Sequence, residues 1–569
     1  MTRFVIVGAL LACAACGVVL AVLTSPWWWA AAGPLVAVAL TGVHDLVQRR
    51  HSVLRNYPVL GHLRFLLEAL RPELQQYFVE RNYDGRPFDR DTRSIVYERA
   101  KGVAAEEPFG SERDMDNRGY EFLVPSMAPA PVPKEPPRVR VGGPDCTQPY
   151  DMALLNVSAM SFGSLSAHAI VALNTGAARG GFAHDTGEGG LSDHHLRPGG
   201  DLVWEIGTGY FGCRTRDGAF DPEQFAEKAA HPAVRCVSLK LSQGAKPGIG
   251  GVLPGSKVNA EIASVRGVPQ GETVISPPYH RVFSTPRELV RFLARMRDLA
   301  HGKPVGFKLC PGSRTQFLAV CKAMAAEGIT PDFIIVDGAE GGTGAAPLEF
   351  ADHLGMPLTD GLITVHSALT GAGLRDRIRI GASGKVATGS DIVKGLAMGA
   401  DYTNAARAMM FAVGCIQAQR CHTNRCPTGV TTVDPRRARA LDIGDKSARV
   451  TRFQQATVQS ALQIMAAMGV RDAADLGPHL VRRREDNGRF RSYAELYDWL
   501  SPGELLAAPP ETWAADWHAA DPDSFAPMTG AFGSRGPGNR RDATYRPRQR
   551  GHPDRDQSQD GNADHGRHT

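Results

Sequence analysis

Two apolar runs open the chain. Residues 4–23 form an uncharged run of twenty residues, and a second run covers residues 27–43 and begins with a tryptophan triplet. Twenty helical residues span a bilayer, whereas seventeen are marginal. Basic residues stand at both outer ends, with Arg3 before the first run and Arg50 after the second. This pattern predicts a transmembrane hairpin over residues 1–50 with both ends in the cytoplasm.

A lipoprotein leader is the alternative, because the segment from Leu10 to Cys13 resembles a lipidation box. The apolar stretch before Cys13 is short and a second apolar run follows, which favours an anchor over a leader. We therefore expect a protein of the inner cell membrane with a cytoplasmic body, in which cysteines stay reduced.

Residues 51–150 carry a different pattern. Leucines at positions 60, 63, 66, 67 and 70 recur at helical spacing among charged residues, and proline is dense over residues 127–144. The first feature predicts an amphipathic helical region, and the second predicts an extended segment. We interpret residues 51–150 as a connection between the anchor and the body.

From residue 151 short β-like runs alternate with helical runs. The candidate strands are residues 153–157, 181–184, 202–206, 234–239, 305–309, 333–336, 378–381 and 402–405. The clearest helical stretches between them are residues 286–300, 314–326 and 389–398. This alternation predicts an α/β protein, a (β/α)8 TIM barrel over residues 151–435. A doubly wound sheet is the alternative, although no G-x-G-x-x-G motif opens a helix after an early strand.

Glycine-rich and polar motifs follow these strands, where a barrel builds its active site. They are SAMSFGS (158–164), TGEGG (186–190), KLSQGAKPGIGG (240–251), DGAEGGTGAAP (337–347) and GASGKVAT (381–388). Glycine lets backbone amides approach a phosphate or a flat ring closely. The last two motifs are therefore candidate cofactor loops.

Three cysteines cluster just after the last strand. Cys415, Cys421 and Cys426 have C-x5-C-x4-C spacing, and Pro427 follows the third. Irregular polar loops with such spacing, and a proline after the last ligand, are typical of iron–sulfur proteins. A structural zinc site and buried free cysteines are the alternatives.

Composition limits the remaining choices. The 569 residues are 43% hydrophobic and 22% charged, as in an ordinary folded enzyme, and the net charge of +5 gives no reason to expect nucleic acid. Helical spacing continues over residues 436–526, which we predict to be a helical region. Residues 527–569 are nearly free of apolar side chains and are predicted to be a disordered tail.

Residues of about 150–435 resemble the FMN-binding synthase domain of glutamate synthase. The resemblance rests on SAMSFGS, DTGEGG, QGAKPGIGG with LPGSKVN, ISPPYH, EGGTGAAP and the cysteine loop, all in the same order as in that family. The whole chain looks like the stand-alone, membrane-anchored members of the family. The resemblance implies a (β/α)8 barrel that binds FMN at its mouth, with a 3Fe-4S cluster nearby.

The resemblance also assigns cofactor residues. It makes Cys415, Cys421 and Cys426 the ligands of the 3Fe-4S cluster and places Lys308 near the flavin. The other implied FMN contacts are Met160, Ser161, Gly341, Gly342, Thr343, Gly384 and Lys385. The phosphate is expected near Gly384 and the helix that follows, which agrees with the usual phosphate site of a barrel.

In glutamate synthase ammonia and 2-oxoglutarate form an imine, which the reduced flavin converts to an amino acid. The resemblance makes Lys246 and Glu188 catalytic, and it assigns Arg266, Lys246 and Thr208 to substrate binding. Fixed cations suit a dicarboxylate, and Glu188 would position ammonia or the imine.

The chain departs from the family pattern at three positions. Ile249 and Val252 replace a glutamate and a glutamine, and Tyr210 replaces an arginine. The function that the resemblance implies is an FMN- and iron–sulfur-dependent oxidoreductase of glutamate synthase type, which reduces the imine formed from ammonia and a 2-oxo acid, first of all 2-oxoglutarate, to an amino acid. The alternatives are a related amine or amino-acid oxidoreductase or amine transferase, a non-catalytic membrane redox relay, and a zinc-stabilised barrel without redox chemistry.

Partners follow from the same pattern. The chain begins Met1, Thr2 without the cysteine nucleophile of a glutaminase domain, so we expect free ammonia, an amine or ammonia from a partner. No NAD(P)H-binding fingerprint is present in the sequence. The resemblance implies a ferredoxin or a reductase as electron donor.

Overall fold

The computed structural model describes residues 2–103, 106, 108–486 and 488–526. Within them the strands form one closed barrel and three small antiparallel sheets. The strands are β1 (Glu121–Leu123), β2 (Arg138–Val141), β3 (Tyr150–Ala153), β4 (Leu155–Val157), β5 (His184–Asp185), β6 (Leu202–Ile206), β7 (Val234–Lys240), β8 (Val252–Leu253), β9 (Val274–Ile275), β10 (Val305–Leu309), β11 (Phe333–Asp337), β12 (Arg379–Ser383), β13 (Tyr402–Ala405), β14 (Val481–Arg484) and β15 (Phe490–Ser492).

The barrel is built from β4, β5, β6, β7, β10, β11, β12 and β13 in this order. Every neighbouring pair is parallel, and β13 pairs with β4 to close the ring. Each of the eight predicted strands overlaps one of these elements, although residues 181–184 share only His184 with β5. The (β/α)8 barrel is thereby confirmed, and the doubly wound alternative is wrong.

Helices cover the barrel and extend it at both ends of the chain. They are α1 (Thr2–Leu23), α2 (Trp29–Val47), α3 (Ser52–Asn56), α4 (Gly61–Leu74), α5 (Arg90–Lys101), α6 (Ala167–Gly180), α7 (Asp193–Leu196), α8 (Pro222–Ala229), α9 (Ala260–Arg266), α10 (Pro286–Leu299), α11 (Arg314–Glu327), α12 (Leu348–His353), α13 (Leu358–Gly371), α14 (Gly389–Ala397), α15 (Arg407–Ala412), α16 (Pro435–Ala438), α17 (Ile443–Ala467), α18 (Tyr493–Leu496), α19 (Glu504–Ala507) and α20 (Glu511–Ala519). The longest helix outside the N-terminal pair, α17, packs against α5, α6 and α14.

The barrel strands are buried on both faces, as parallel strands covered by helices must be. Alternate residues of β6 and β11 point to different cores, with Trp204 and Ile334 in the core under the helices and Val203 and Phe333 in the interior. The interior core also contains side chains of β2 and β3. The β2–β3 hairpin therefore closes the amino end of the barrel and leaves the carboxyl end for a site.

The two N-terminal helices form a pair. The segments Arg3–Leu23 and Pro26–Val47 are long and apolar enough to cross a membrane, by length and composition. Arg3 Nη1 donates to Asn56 Oδ1 over 3.0 Å, which brings the start of α1 beside α3. Both outer ends of the pair thus lie on one side. Membrane insertion itself stays a prediction.

The division of the chain outside the barrel also stays a prediction. Residues 51–150 contain α3, α4, α5 and the strands β1 and β2, and residues 436–526 contain α17–α20. The strand β14 pairs with β1 and with β15 in an antiparallel sheet that the helical pattern of residues 436–526 did not predict. Described residues up to Phe525 form one compact unit. The predicted disordered tail, residues 527–569, lies outside the described residues.

Candidate functional site

A cavity lies at the carboxyl ends of the barrel strands. Its lining comes from the loops after β4, β7, β11, β12 and β13, from the end of β10 and from the segment before α5. The lining residues are Phe88, Ser158, Ala159, Gln243, Lys308, Asp337, Gly341, Gly342, Ser383, Gly384, Lys385, Val386, Asn404, Ala406 and Arg407. Five of the predicted flavin contacts, Lys308, Gly341, Gly342, Gly384 and Lys385, are among them.

Three other predicted flavin contacts lie elsewhere. Met160 and Ser161 are buried in the loop after β4, and Thr343 is exposed on the loop after β11. The Ser161 hydroxyl accepts a hydrogen bond from Arg266 Nη2 at 3.3 Å. The structure thus brings Ser161 to a predicted substrate residue rather than to the lining of the cavity.

Glycines allow the walls of the cavity to approach one another. A Cβ on Gly341 would lie 2.9 Å from Asp337 Oδ1, and one on Gly342 would lie 2.8 Å from Arg407 Nε. A Cβ on Gly244 would lie 1.8 Å from the carbonyl oxygen of Gly338. The loops after β7 and β11 therefore pack backbone to backbone, which side chains at these positions would prevent.

Two cations lie on one wall of the cavity. Lys385 has left-handed backbone, φ +53°, which is unusual for a residue other than glycine. Burial, and then the charge of Arg407, lowers the pKa of Lys385. Burial also lowers the pKa of Arg407 to about 10, against the opposing effect of Asp337 and Glu340. Two cations held close together favour an anion between them.

Arg407 was not among the residues predicted from the sequence. Its signal is positional, because Arg407 begins α15 directly after β13, at the carboxyl end where barrel sites form. Its guanidinium stacks 4.8 Å from the ring centre of Phe88 and donates to the carbonyl oxygen of Glu340.

Lys308, at the end of β10, forms a buried ion pair. Its ammonium group donates to Glu205 Oε2, and both side chains are almost fully buried. Burial alone would lower the pKa of Lys308, but the charges of Glu205, Asp185 and Asp337 outweigh it and raise the pKa. Burial, and then Glu205, raises the pKa of Asp185 to about 8. Lys308 is thus kept protonated, and Asp185 loses its proton at a higher pH than an ordinary carboxyl group does.

A second group of charged residues lies beside the cavity, and we name it the charged cluster: Glu188, Lys240, Lys246 and Arg266. Lys240 Nζ lies 2.9 Å from Glu188 Oε1. Burial would raise the pKa of Glu188, but Lys240, and then Arg266 and Lys246, hold it below its usual value. Glu188 is therefore an ionised carboxylate among three cations.

The two other cations of the charged cluster are buried. Lys246 Nζ donates to the carbonyl oxygen of Ala345 at 3.0 Å, and burial lowers its pKa. Arg266 Nη2 also donates to the carbonyl oxygen of Phe162 at 3.1 Å, and its Cζ lies 5.0 Å from the ring centre of Phe211. Burial lowers the pKa of Arg266 to about 10, and its Nε has no hydrogen-bond partner within the part of the chain that the structure describes.

Lys240 connects the charged cluster to the cavity. Its Nζ also donates to Gln243 Oε1 at 3.0 Å, and Gln243 lines the cavity. Neither residue was predicted, although both stand in the motif KLSQGAKPGIGG. Thr208, a predicted substrate residue, instead donates through Oγ1 to the carbonyl oxygen of Pro277 at 2.6 Å. Its neighbour Gly207 packs against Glu188.

The three loop cysteines lie near one another. The thiols of Cys421 and Cys426 add to the effect of burial in raising the pKa of Cys415 to about 12. Burial would raise the pKa of Cys426, but the polar groups of Thr431 and Thr428 lower it to about 7, and Thr428 Oγ1 lies 3.5 Å from Cys426 Sγ. Polar donors around sulfur suit thiolate ligands.

Among the described residues, no group of three or more His, Cys, Asp or Glu side chains is arranged to hold a single metal ion. The zinc alternative therefore gains no support. In an iron–sulfur cluster each thiolate binds a different iron atom, so the thiolates need not meet at one point.

Packing from other segments fixes the cysteine loop. Gln417 has left-handed backbone, φ +56°, and its side chain is buried. Phe88 N donates to Gln417 Oε1 at 3.2 Å, and Gln417 Nε2 donates to the carbonyl oxygen of Phe88 at 3.0 Å. Tyr97 Oη donates to the carbonyl oxygen of Cys415 at 2.7 Å, and Lys257 Nζ donates to that of Cys421 at 3.4 Å. Because Phe88 also lines the cavity, it connects the cysteine loop to the candidate flavin site.

Comparison with known proteins decides the family. Residues 148–471 match the family described as "Conserved region in glutamate synthase". The chain belongs to the glutamate synthase family. It is 37% identical over 494 residues to the glutamate synthase large subunit-like protein YerD of Bacillus subtilis (strain 168), which covers 80% of this chain and 94% of YerD.

Two other relatives match the barrel region. An archaeal glutamate synthase [NADPH] of Methanocaldococcus jannaschii is 32% identical over 322 residues, 56% of this chain and 60% of that protein. The glutamate synthase [NADPH] large chain of Bacillus subtilis (strain 168) is 33% identical over 319 residues, 55% of this chain and 20% of that protein. Membership confirms the resemblance and makes this protein a glutamate synthase-like oxidoreductase.

Proposed function

We propose that this protein reduces the imine formed from a 2-oxo acid, best 2-oxoglutarate, and ammonia to an amino acid, using FMN and a 3Fe-4S cluster. The observation that carries the proposal is the adjacency of two sites. Lys240 of the charged cluster donates through Nζ to Oε1 of Gln243 over 3.0 Å, and Gln243 lines the cavity. A substrate held by the cluster would therefore lie beside a group bound in the cavity.

The charges of the cluster suit a dicarboxylate. Three cations and one carboxylate leave two net positive charges, and buried cations bind carboxylates strongly. Lys246 and Arg266 would hold the two carboxylates of the 2-oxo acid. Glu188, which Lys240 keeps ionised, would accept a hydrogen bond from ammonia or the imine nitrogen and so orient it. Imine formation releases water, and reduction adds one hydride to carbon and one proton to nitrogen.

The residues of the cavity fit FMN. Lys385 and Arg407 would bind the phosphate, and Gly341, Gly342 and Gly384 leave room for close approach of the ligand. The protonated Lys308 would stabilise negative charge on the reduced ring, the electronic tuning that a protein supplies to a cofactor. When bound, FMN would supply the hydride, and the 3Fe-4S cluster would pass electrons to FMN one at a time.

The cysteine loop fits a cluster of the 3Fe-4S type. Cys415, Cys421 and Cys426 provide three thiols in mutual range, with hydrogen-bond donors from the loop around them. Lys257 adds a buried ammonium group beside the loop. A positive charge there would offset the negative charge of thiolates and cluster sulfides.

We further propose that α1 and α2 anchor the protein in the inner cell membrane, with the barrel in the cytoplasm. The two apolar helices and the arginines at their adjoining outer ends support this orientation. Electrons would come from a ferredoxin or a reductase. Fractionation of cells and protease protection of the C-terminal region test the anchor and its direction.

The activity is tested on the detergent-solubilised full-length protein without oxygen. The visible spectrum and iron content come first, followed by reduction and then by addition of 2-oxoglutarate, ammonium or both. We expect rapid flavin reoxidation only with both compounds. Lys246→Ala should slow it roughly 30-fold or more, because loss of one partner of a buried charged contact costs about 2–5 kcal/mol.

Lys134→Ala is the matched control, because Lys134 is an exposed lysine of the proline-rich segment. It should leave reoxidation unchanged. A flavin and iron spectrum without any response to the two compounds would refute 2-oxoglutarate as substrate. It would favour a different amine or 2-oxo acid, for which Val252, apolar and 42% exposed, is the first position to examine.

A further inference from the structure

An apolar stripe runs along α4 and the π-helical turn after it, Gln75–Val79. All of its side chains are exposed: Leu60, Leu63, Leu66, Leu67, Leu70, Leu74 and Tyr77. At about 100° per residue they occupy an arc of about 120°. Exposed apolar surface of this extent marks a binding surface rather than an ordinary solvated face.

The other sides of the same helix carry its charged side chains, together with Phe65 and Ala69. His62 Nε2 lies 3.0 Å from Asp45 Oδ1, so the start of α4 is fixed to the end of α2. On another side Arg64 and Glu68 pair at 2.9 Å in solvent. The stripe is thus separated from both the protein-facing side and the water-facing side of the helix.

The end of the segment touches the cysteine loop. Gln76 Nε2 donates to the carbonyl oxygen of Ile416 at 3.1 Å, and Glu73 pairs with Arg420 at 3.3 Å. Ile416 itself is exposed. Residues 60–79 therefore form a continuous connection from the end of α2 to the loop that carries the three cysteines.

We infer that residues 60–79 lie in the plane of the membrane surface, with the apolar stripe in the boundary between lipid headgroups and acyl chains. The occupant of the stripe is the bilayer itself, because the stripe starts at the end of the two apolar helices and is fixed to α2 by Asp45. A helix with one apolar and one charged face adopts this position.

Charge supports a lipid surface as the partner. Between residues 49 and 79 five arginines oppose two glutamates, and basic residues beside a membrane attract anionic lipids. The arginines are Arg49, Arg50, Arg55, Arg64 and Arg71, and the glutamates are Glu68 and Glu73. The cysteine loop is then held next to the bilayer. This inference rests on the proposed membrane anchor.

The test uses the full-length protein in nanodiscs of phosphatidylethanolamine and phosphatidylglycerol. The photoreactive residue p-benzoylphenylalanine replaces Leu67 or Leu70 in the stripe, Glu68 on the solvent side, or Leu40 in α2. These side chains are exposed, so the replacements leave the packing intact. After irradiation, mass spectrometry of the intact protein measures the fraction that carries a lipid adduct.

We expect positions 67 and 70 to give at least about fivefold more lipid adduct than position 68, whose side chain points to water. Lipid adducts at position 40, without an excess of adduct at positions 67 and 70 over position 68, would overturn the inference but would still support the proposed membrane anchor. Adducts of 67 and 70 with another protein would also overturn it. No lipid adduct even at position 40 would refute the anchor, and the inference with it.

Discussion

Gly244→Ala tests whether the loop contact behind the cavity determines flavin binding. The new Cβ would lie 1.8 Å from the carbonyl oxygen of Gly338, whereas real Cβ contacts stay beyond 3.0 Å. The loops after β7 and β11 would have to separate by at least 1.2 Å, the difference of these distances. A displacement of about 1 Å in an active site can lower a reaction rate roughly 100-fold, and we apply the same magnitude to the loss of contacts with FMN. We expect the Kd for FMN to rise by about that factor, about 2.8 kcal/mol.

The assay titrates cofactor-free protein into FMN and follows the quenching of flavin fluorescence. Gly312→Ala is the matched control, because Gly312 lies in the neighbouring loop after β10 and its Cβ would meet open space. Iron content and thermal midpoint of the same samples separate a deformed cavity from an unfolded chain. If Gly244→Ala binds FMN within about threefold of the control, the reasoning about the loop contact is refuted.

Two further predictions concern buried groups. In the folded chain Asp185 keeps its proton up to a pKa of about 8, whereas in the unfolded chain it loses the proton near the ordinary pKa of 3.8. The free energy of unfolding therefore falls as pH rises between these two values. Glu205→Gln should lower that pKa and shrink the fall in thermal midpoint between about pH 5 and about pH 8, and an equal fall would contradict the assignment. Gln417→Ala removes both hydrogen bonds to the backbone of Phe88, and leaving these buried groups unpaired costs about 1–3 kcal/mol. We therefore expect the variant to release iron from the proposed cluster to a chelator faster than the unaltered protein does. Gln419→Ala is the control, because Gln419 also has left-handed backbone but its side chain is exposed. Equal rates of iron release in the two variants would count against a role for Gln417 in fixing the loop.

The barrel could be predicted because its strands are continuous buried runs separated by helical spacing. In β6 and β11 every residue is buried, so the hydrophobic pattern alone marks both strands. The strands β14 and β15 escaped prediction for the opposite reason. They are short and rich in arginine, and the pairing of β14 with the distant β1 leaves no periodic pattern in the local sequence.

The candidate site was predictable where long motifs carry it and not where distant residues meet. Lys246, Glu188 and Arg266 stand in or beside such motifs, and the structure gathers them in one cluster. Phe88 is more than 300 residues from Gln417 in the chain, and no local pattern shows that it lies between the cavity and the cysteine loop. Lys240 was missed because a lysine at a strand end resembles a surface residue until its contact with Glu188 is known.

Tyr210, one of the three departures from the family pattern, contacts the charged cluster indirectly. Tyr210, which replaces an arginine, is buried, and its hydroxyl lies 3.1 Å from His280 Nδ1. His280 Nε2 in turn lies 2.9 Å from the carbonyl oxygen of Lys240. The tyrosine therefore acts on the position of Lys240 rather than by presenting a group to a ligand. Tyr210→Phe removes the hydrogen bond to His280, so we expect it to alter the affinity for substrate while the Kd for FMN stays unchanged.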